Sequence, residues 1–201
     1  MNRPDLLIFD LDGVLVDTSP CHRRAYEDLW HQLGIEGPSY ETIAGRKTSE
    51  VVVELTAHLK PSAAQIREWT LFKQLQARQY LTTEAITYSD SAPCLAALAR
   101  HRVRLALGTA ASRATTDEDV SVGKPSPEAY LKLMARAAAS PAHTVIVEDS
   151  RAGIMAAVAS KAYVAVVRTG RTVHHPRFIG SFADLHGLLD KIGIVSACIA
   201  C

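Results

Sequence analysis

Four largely continuous apolar runs punctuate the chain: LLIF (Leu6 to Phe9), VRLAL (Val103 to Leu107), TVIV (Thr144 to Val147) and YVAVV (Tyr163 to Val167). A strand covered on both faces has no polar side to present, so runs of this kind predict buried parallel strands. Helix starts fall between them. Ser126-Pro127-Glu128 supplies a capping hydroxyl, a proline for the first turn and an early acid, and a second helix opens at Ser150 with RAGIMAAVAS. Strand and helix in this rhythm predict an α/β fold built on a doubly wound, Rossmann-like parallel sheet.

Residues 19–88 break the rhythm, reading as helical throughout and without a strand. Pro20 opens one helix with Ala25, Tyr26, Leu29, Trp30 and Leu33 on its apolar face. Ser62 and Gln65 form a capping box for another, which runs through Trp69, Phe72 and Leu75 to Leu81. The aromatic positions here read as packing. The predicted organisation is a core domain of residues 1–17 and 89–201 and an inserted all-helical cap of residues 18–88, hinged near Asp17 and Ser89. No internal repeat or low-complexity tract is evident, and His174-His175-Pro176 reads as a loop.

With 22 Lys and Arg against 21 Asp and Glu, the net charge of +1 offers no field for nucleic acid or a membrane surface. The start, MNRPDLLIFD, has too few apolar residues before its acid for a secretory signal, and no run approaches the ~18 apolar residues of a membrane span. The expectation is a cytoplasmic protein, monomeric or homodimeric. Four cysteines (Cys21, Cys94, Cys198 and Cys201) do not make a disulfide framework, and the C-x-x-C at Cys198 and Cys201 lacks the context of a redox or zinc motif.

Chemistry concentrates where strands end. In an open α/β sheet, ligands bind outside the carboxyl ends of the strands. The first run ends in Asp10 and Asp12, the second in Gly108 and Thr109, and the third in Glu148 and Asp149. Asp10 and Asp12, two apart on extended chain, face the same side, and Gly13 lets the chain turn sharply. Unit charges about 4 Å apart repel by ~4 kcal/mol at an effective dielectric of 20, so four clustered carboxylates call for a cation. An all-oxygen donor set suits Mg²⁺ better than Zn²⁺. With a hydroxyl and Lys124 (in GKPSP) added, the set fits phosphoryl transfer, with one carboxylate as nucleophile and its neighbour moving the proton. Each residue alone could be a cap or turn residue; their joint placement carries the reading.

Four motifs in this order, DLDGVLVDT (Asp10 to Thr18), LALGTAAS (Leu105 to Ser112), GKPSPEAY (Gly123 to Tyr130) and VEDSRAGI (Val147 to Ile154), resemble the haloacid dehalogenase-like hydrolase superfamily, in its branch with a helical cap. The resemblance spans nearly the whole chain. It implies that Asp10 is nucleophile and metal ligand, and that Asp12 is the general acid and base, binding metal through its carbonyl. It also implies that Thr109, Ala110 and Lys124 hold the phosphoryl group, and that Asp149 with Glu148 completes a Mg²⁺ site. Ser112, Arg113 and Ser150 join as assisting residues. Dehalogenases of the superfamily lack the second Asp, so Asp12 favours phosphate chemistry.

Within that branch, phosphoglycolate and sugar-phosphate phosphatases compete with β-phosphoglucomutase. His22 matches a cap-hinge histidine of the mutase and is a candidate substrate contact. The mutase's cap arginine and lysine fall on Thr48 and Gln76, which cannot grip a second phosphate. The expected reaction is therefore hydrolysis of a small phosphorylated metabolite. Arg46, Lys47, Lys73 and Arg78 are candidate cap contacts, though each by itself reads as part of a solvated helix face.

Residues 110–123 are too few for the helix and strand that the family has before its lysine, a pair that needs roughly 17 residues. Either the element is lost or residues are missing from the sequence. The start of a helix at SRATT and the end of a strand at DEDVSVGKP favour the second, and predict an interruption between about Ala114 and Glu118. A non-catalytic phospholigand-binding protein is the rival if the short segment is genuine and misplaces Lys124.

Overall fold

The computed structural model describes residues 3–109 and 120–194. Its strands are β1 (Leu6–Phe9), β2 (Val16–Asp17), β3 (Ile86–Thr87), β4 (Arg104–Leu107), β5 (Thr144–Glu148), β6 (Tyr163–Val167) and β7 (Phe178–Phe182). Its helices are α1 (Ser19–Leu33), α2 (Tyr40–Ile43), α3 (Thr48–Thr56), α4 (Ala63–Glu84), α5 (Ser91–Arg100), α6 (Glu128–Arg136), α7 (Arg151–Ala159) and α8 (Leu185–Lys191). The predicted interruption between Ala114 and Glu118 lies outside the described residues, as do Ala110, Ser112, Arg113, Cys198 and Cys201.

Five strands form a wholly parallel sheet in the order β4-β1-β5-β6-β7. Alternate side chains serve opposite faces. Leu7, Phe9, Val145, Val147 and Ala165 pack against Cys94, Ala97 and Leu98 of α5 and Leu185, Leu188 and Leu189 of α8. Leu6, Ile8, Ile146 and Val164 pack against Tyr130, Leu133 and Met134 of α6 and Ala156 and Ala157 of α7. Helices on both faces explain why these strands read as continuous apolar runs, and they make the fold the doubly wound α/β class that the runs predict.

From β1 the chain passes to β4 on one side and then crosses back to β5 on the other. The ends of β1 and β5 therefore flank a topological switch point, where an open α/β sheet leaves a crevice.

Helices α1 to α4 enclose a core of their own, built from Tyr26, Leu29, Trp30, Ile43, Val51, Val52 and Trp69. Pro20 sits in the first turn of α1, and Gly34 ends that helix in the left-handed conformation (φ 63). The capping box of α4 forms: Gln65 N donates to Ser62 Oγ at 3.3 Å, and Ser62 N donates to Gln65 Oε1 at 2.9 Å. Its buried stripe differs from the apolar pattern. The buried residues are Trp69, Lys73 and Ala77, while Leu75 is 55% exposed.

The expectation of no strand within residues 19–88 is corrected by β3, which pairs antiparallel with β2 through Val16 with Thr87 and Asp17 with Ile86. Two residues hold a single alternation, too little for a periodic signal. The junction is pinned by Ser91 Oγ, which donates to Leu15 O at 2.8 Å. Arg168 donates to Val14 O (3.0 Å from Nε) and Asp90 Oδ1 (2.7 Å), and lies 3.6 Å over the Tyr88 ring. No helix among the described residues is long and apolar enough to cross a membrane.

Ile146 is fully buried at the centre of the sheet. Ile146→Ala is expected to lower unfolding stability by about 2–5 kcal/mol, read from the shift of the urea midpoint at unchanged slope.

Candidate active site

β1 delivers Asp10 and Asp12, β4 delivers Thr109, and β5 ends in Glu148 and Asp149. Lys124, on the loop before α6, reaches into the same crevice. Its ammonium donates to Asp10 Oδ1 at 2.9 Å, Glu148 Oε1 at 2.6 Å and Gly108 O at 3.2 Å. All three charged groups are buried, with side-chain exposures of 4%, 4% and 0%. Seven of the sequence-predicted site residues, Asp10, Asp12, His22, Thr109, Lys124, Glu148 and Asp149, thus meet in or beside one crevice. The eighth, Ala110, lies outside the described residues.

Glu148 is held from several directions. The Tyr130 hydroxyl donates to Oε1, while Oε2 accepts from Asp149 N at 3.1 Å and Ser150 Oγ at 3.2 Å. Ser150 Oγ also caps α7 by accepting from Gly153 N at 3.1 Å. Two glycines allow the close packing. A Cβ on Gly153 would stand 1.8 Å from Glu148 Oε1, and one on Gly13 (φ 77) would stand 2.2 Å from Asp149 Oδ2.

Burial pushes the Asp10 carboxyl well above its usual range against the pull of Lys124, and the charges of Glu148, Asp12 and Asp149 add to the rise. Asp149 is pushed up to about 7, first by burial and then by Glu148. Burial opposes the charge on Lys124, but Asp10 and Glu148 overcome it and raise the ammonium well above its ordinary value. Asp12 goes the other way. Burial acts to raise it, but neighbouring His22 and the hydroxyls of Thr18 (2.7 Å) and Thr109 (3.2 Å) hold it at about 2.

One ammonium among Asp10, Glu148 and Asp149 leaves two negative charges in excess if all three acids ionise. Oxygens of these three acids lie within 4.8 Å of one another, and Asp149 Oδ1 is buried without a hydrogen-bond partner among the described residues. A buried carboxylate oxygen with no donor is a costly arrangement that a cation would relieve. The residues present therefore fit a divalent cation, and the all-oxygen donor set matches a hard one.

Facing the acids, the crevice is lined by Ser19, His22, Tyr26, Tyr40, Arg46, Thr48 and Lys73. Lys73 corrects the reading of a solvated helix face. It is 4% exposed, lies 4.3 Å over the Tyr26 ring, and contacts His22 Nδ1 at 2.9 Å. An ammonium can only donate, so Nδ1 accepts and the ring proton sits on Nε2, which lies 3.8 Å from Asp12 Oδ1. Burial brings Lys73 down to about 8, and burial followed by the Lys73 charge lowers His22.

The other cap candidates divide. Arg46 lines the crevice while pairing with Glu54 at 2.5 Å. Lys47 and Arg78 do not line it. Thr48 lines it and Gln76 does not, and Arg46 and Lys73 are the cations of α1 to α4 and their loops that face the acids. Tyr26 both packs in the core that α1 to α4 enclose and lines the crevice. The signal for Lys73 was present in the chain. Trp69, Lys73 and Ala77 are four apart, and a lysine on a stripe with tryptophan and alanine faces inward.

Residues 4–161 match the haloacid dehalogenase-like hydrolases. The hexitol phosphatase A of Escherichia coli K12 is 29% identical over 180 residues, covering 80% of this chain and 81% of its own. The fructose-1-phosphate phosphatase of the same organism is 29% identical over 178 residues, covering 77% and 91%. The crystal structure of β-phosphoglucomutase from Clostridium difficile superposes with a TM-score of 0.76 at 18% identity, covering 94% of this chain and 97% of that one, and shares its fold. The chain belongs to the haloacid dehalogenase-like hydrolases, and it is an enzyme of that hydrolase class.

Protons compete with a cation for Asp149, which sits at about 7. Apparent Mg²⁺ affinity is therefore expected to fall about tenfold or more per pH unit below 7 and to level off above it, measured by calorimetric titration between pH 5.5 and 8.5. A pH-independent affinity would contradict this placement of the cation.

Proposed function

We propose that the chain is a cytoplasmic, Mg²⁺-dependent phosphatase that hydrolyses a small phosphorylated metabolite of the sugar-phosphate type through an aspartyl-phosphate on Asp10. The observation that carries the reading is the buried Lys124 ammonium shared by Asp10 and Glu148 beside the unpartnered Asp149 oxygen. The names of the hexitol and fructose-1-phosphate phosphatases support the substrate type.

Mg²⁺, held by Asp10, Asp149, Glu148 and the Asp12 carbonyl, would supply charge neutralisation for the phosphoryl oxygens. Lys124 and Thr109 orient that group in line with Asp10. An Asp10 oxygen attacks phosphorus as the ester oxygen departs, and Asp12 gives its proton to the leaving alkoxide. Asp12, held at about 2 in the free enzyme, gains that proton because the incoming phosphate dianion disfavours a second negative charge beside it. As a carboxylate again, Asp12 takes a proton from water. The resulting hydroxide attacks phosphorus, and Asp10 leaves as carboxylate with release of inorganic phosphate.

Residues 18–88 act as a cap over this chemistry. Its contacts with the core include Gly123 N donating to Glu50 Oε1 at 3.0 Å, and Gly45 approaching Ser150 so closely that a Cβ would stand 2.3 Å from its Oγ. The crevice has a volume of about 70 Å³, against about 300–1,000 Å³ for typical small-molecule pockets. Substrate entry requires the cap to lift, and its return excludes water.

A second reading, a phosphomutase, gains from Arg46 and Lys73, two cations across the crevice from the acids. A mutase would need a sugar bisphosphate for turnover. The binding-protein alternative needs a misplaced Lys124, which its contacts with Asp10 and Glu148 disfavour.

Purified protein with Mg²⁺ is expected to release phosphate from p-nitrophenyl phosphate and from hexose or hexitol phosphates without any bisphosphate. Asp10→Asn is expected to lose about a thousandfold or more while staying folded. Activity only with added bisphosphate would favour the mutase, and no release across a phosphometabolite panel would favour the binding protein.

A further inference from the structure

A second cavity, none of whose lining residues lines the catalytic crevice, runs along α7. It has a volume of about 590 Å³ and is lined by Arg151, Ile154, Met155, Val158 and Ala159 of α7 and by residues 171–173 of the loop after β6. The α7 residues follow the i, i+3, i+4, i+7, i+8 spacing of one helix face, so the helix offers a continuous stripe rather than scattered contacts. That stripe is apolar after its first residue. Met155, at its middle, is 51% exposed, a large thioether left in water by an otherwise well-packed helix.

The charges at this cavity are of one sign. Arg151 and Arg171 line it, and no acidic side chain does. The Nε of Arg171 is buried without a hydrogen-bond partner among the described residues. Arg151 likewise forms no side-chain hydrogen bond or ion pair among them. Four other arginines, Arg23, Arg24, Arg46 and Arg168, each pair with a carboxylate. A buried guanidinium N–H with no acceptor is costly, and a planar fork of donors is suited to an oxyanion.

We infer that this groove is a binding site for a small organic anion with an apolar body, a carboxylate, sulfonate or phosphate carried on an aromatic or branched aliphatic frame. The anionic head pairs with Arg171 and Arg151, and the body lies on Ile154, Met155, Val158 and Val173. The volume falls within the ~300–1,000 Å³ range of small-molecule sites, and the combination of an apolar wall with a few charged groups is what such sites share. Charge complementarity selects the occupant: a neutral ligand would leave the buried Arg171 Nε unanswered, and a cation would be repelled by both arginines. The site is independent of the phosphatase reading, because neither arginine belongs to the catalytic crevice.

The test uses 1-anilinonaphthalene-8-sulfonate and its uncharged counterpart N-phenyl-1-naphthylamine as fluorescent probes of the whole protein. The sulfonate is expected to bind with one-to-one stoichiometry, at least tenfold more tightly than the uncharged amine, and without displacement by orthovanadate, a phosphate mimic for the catalytic crevice. Arg171→Gln is expected to weaken sulfonate binding about tenfold and Arg151→Gln/Arg171→Gln further, while p-nitrophenyl phosphate hydrolysis and the thermal midpoint stay as in the parent. Comparing the two probes on the unaltered protein keeps the test open if a variant folds poorly. Equal affinity for both probes, displacement by orthovanadate, or unchanged sulfonate affinity in the double variant would overturn the inference. So would light scattering that shows a dimer dissociating as the sulfonate binds, since the groove would then be an interface between copies.

Discussion

The buried Lys124 ammonium holds together the acids at the carboxyl ends of the strands. Lys124 sits between Asp10 and Glu148, each of them at most 4% exposed, and without it three acids would face one another in one crevice. Unit charges about 4 Å apart repel by ~4 kcal/mol at an effective dielectric of 20. One positive charge only partly compensates. Burial first, and the neighbouring acid charges after it, raise Asp10 and Asp149 above the carboxylate range, and the clustered oxygens with the unpartnered Asp149 Oδ1 fit a divalent cation.

The rest of the fold serves this placement. A parallel sheet brings the ends of β1, β4 and β5 to one crevice, and the switch from β4 across to β5 opens it. Gly13 and Gly153 let backbone approach Asp149 and Glu148 where no side chain would fit. Tyr130, fully buried on α6, reaches Glu148 from the face opposite α5 and α8, so the packing of one layer fixes a carboxylate of the site. Arg168 joins the loop after β1 to the start of α5, tying the segment that carries Asp10 and Asp12 to the segment that follows β3.

Strands β1, β4, β5 and β6 were legible because burial on both faces leaves an unbroken apolar run. The paired acids were legible because they follow those runs directly. Helix starts at Ser62 and Ser150 were legible from capping chemistry alone, since a side chain bonding to the nearby backbone needs no tertiary partner. Strand β7 escaped notice: FIGSF carries Gly180 and Ser181 in its middle and meets β6 through a register shift. Strands β2 and β3 were too short to show a period. Lys73 escaped for a different reason. Its burial depends on His22 and Tyr26 of another helix, a tertiary partnership that helical spacing hints at but does not specify.

Under the proposed mechanism Asp10 becomes covalently phosphorylated during turnover, and rapid-quench peptide mapping detects that intermediate. Mg²⁺-loaded enzyme mixed with p-nitrophenyl phosphate, quenched in acid within one turnover and reduced with borohydride, should yield Asp10 converted to homoserine. The same treatment should leave Asp12, Glu148 and Asp149 unaltered. Release of p-nitrophenol with Asp10 recovered unmodified, and with turnover persisting in Asp10→Asn, would contradict the account.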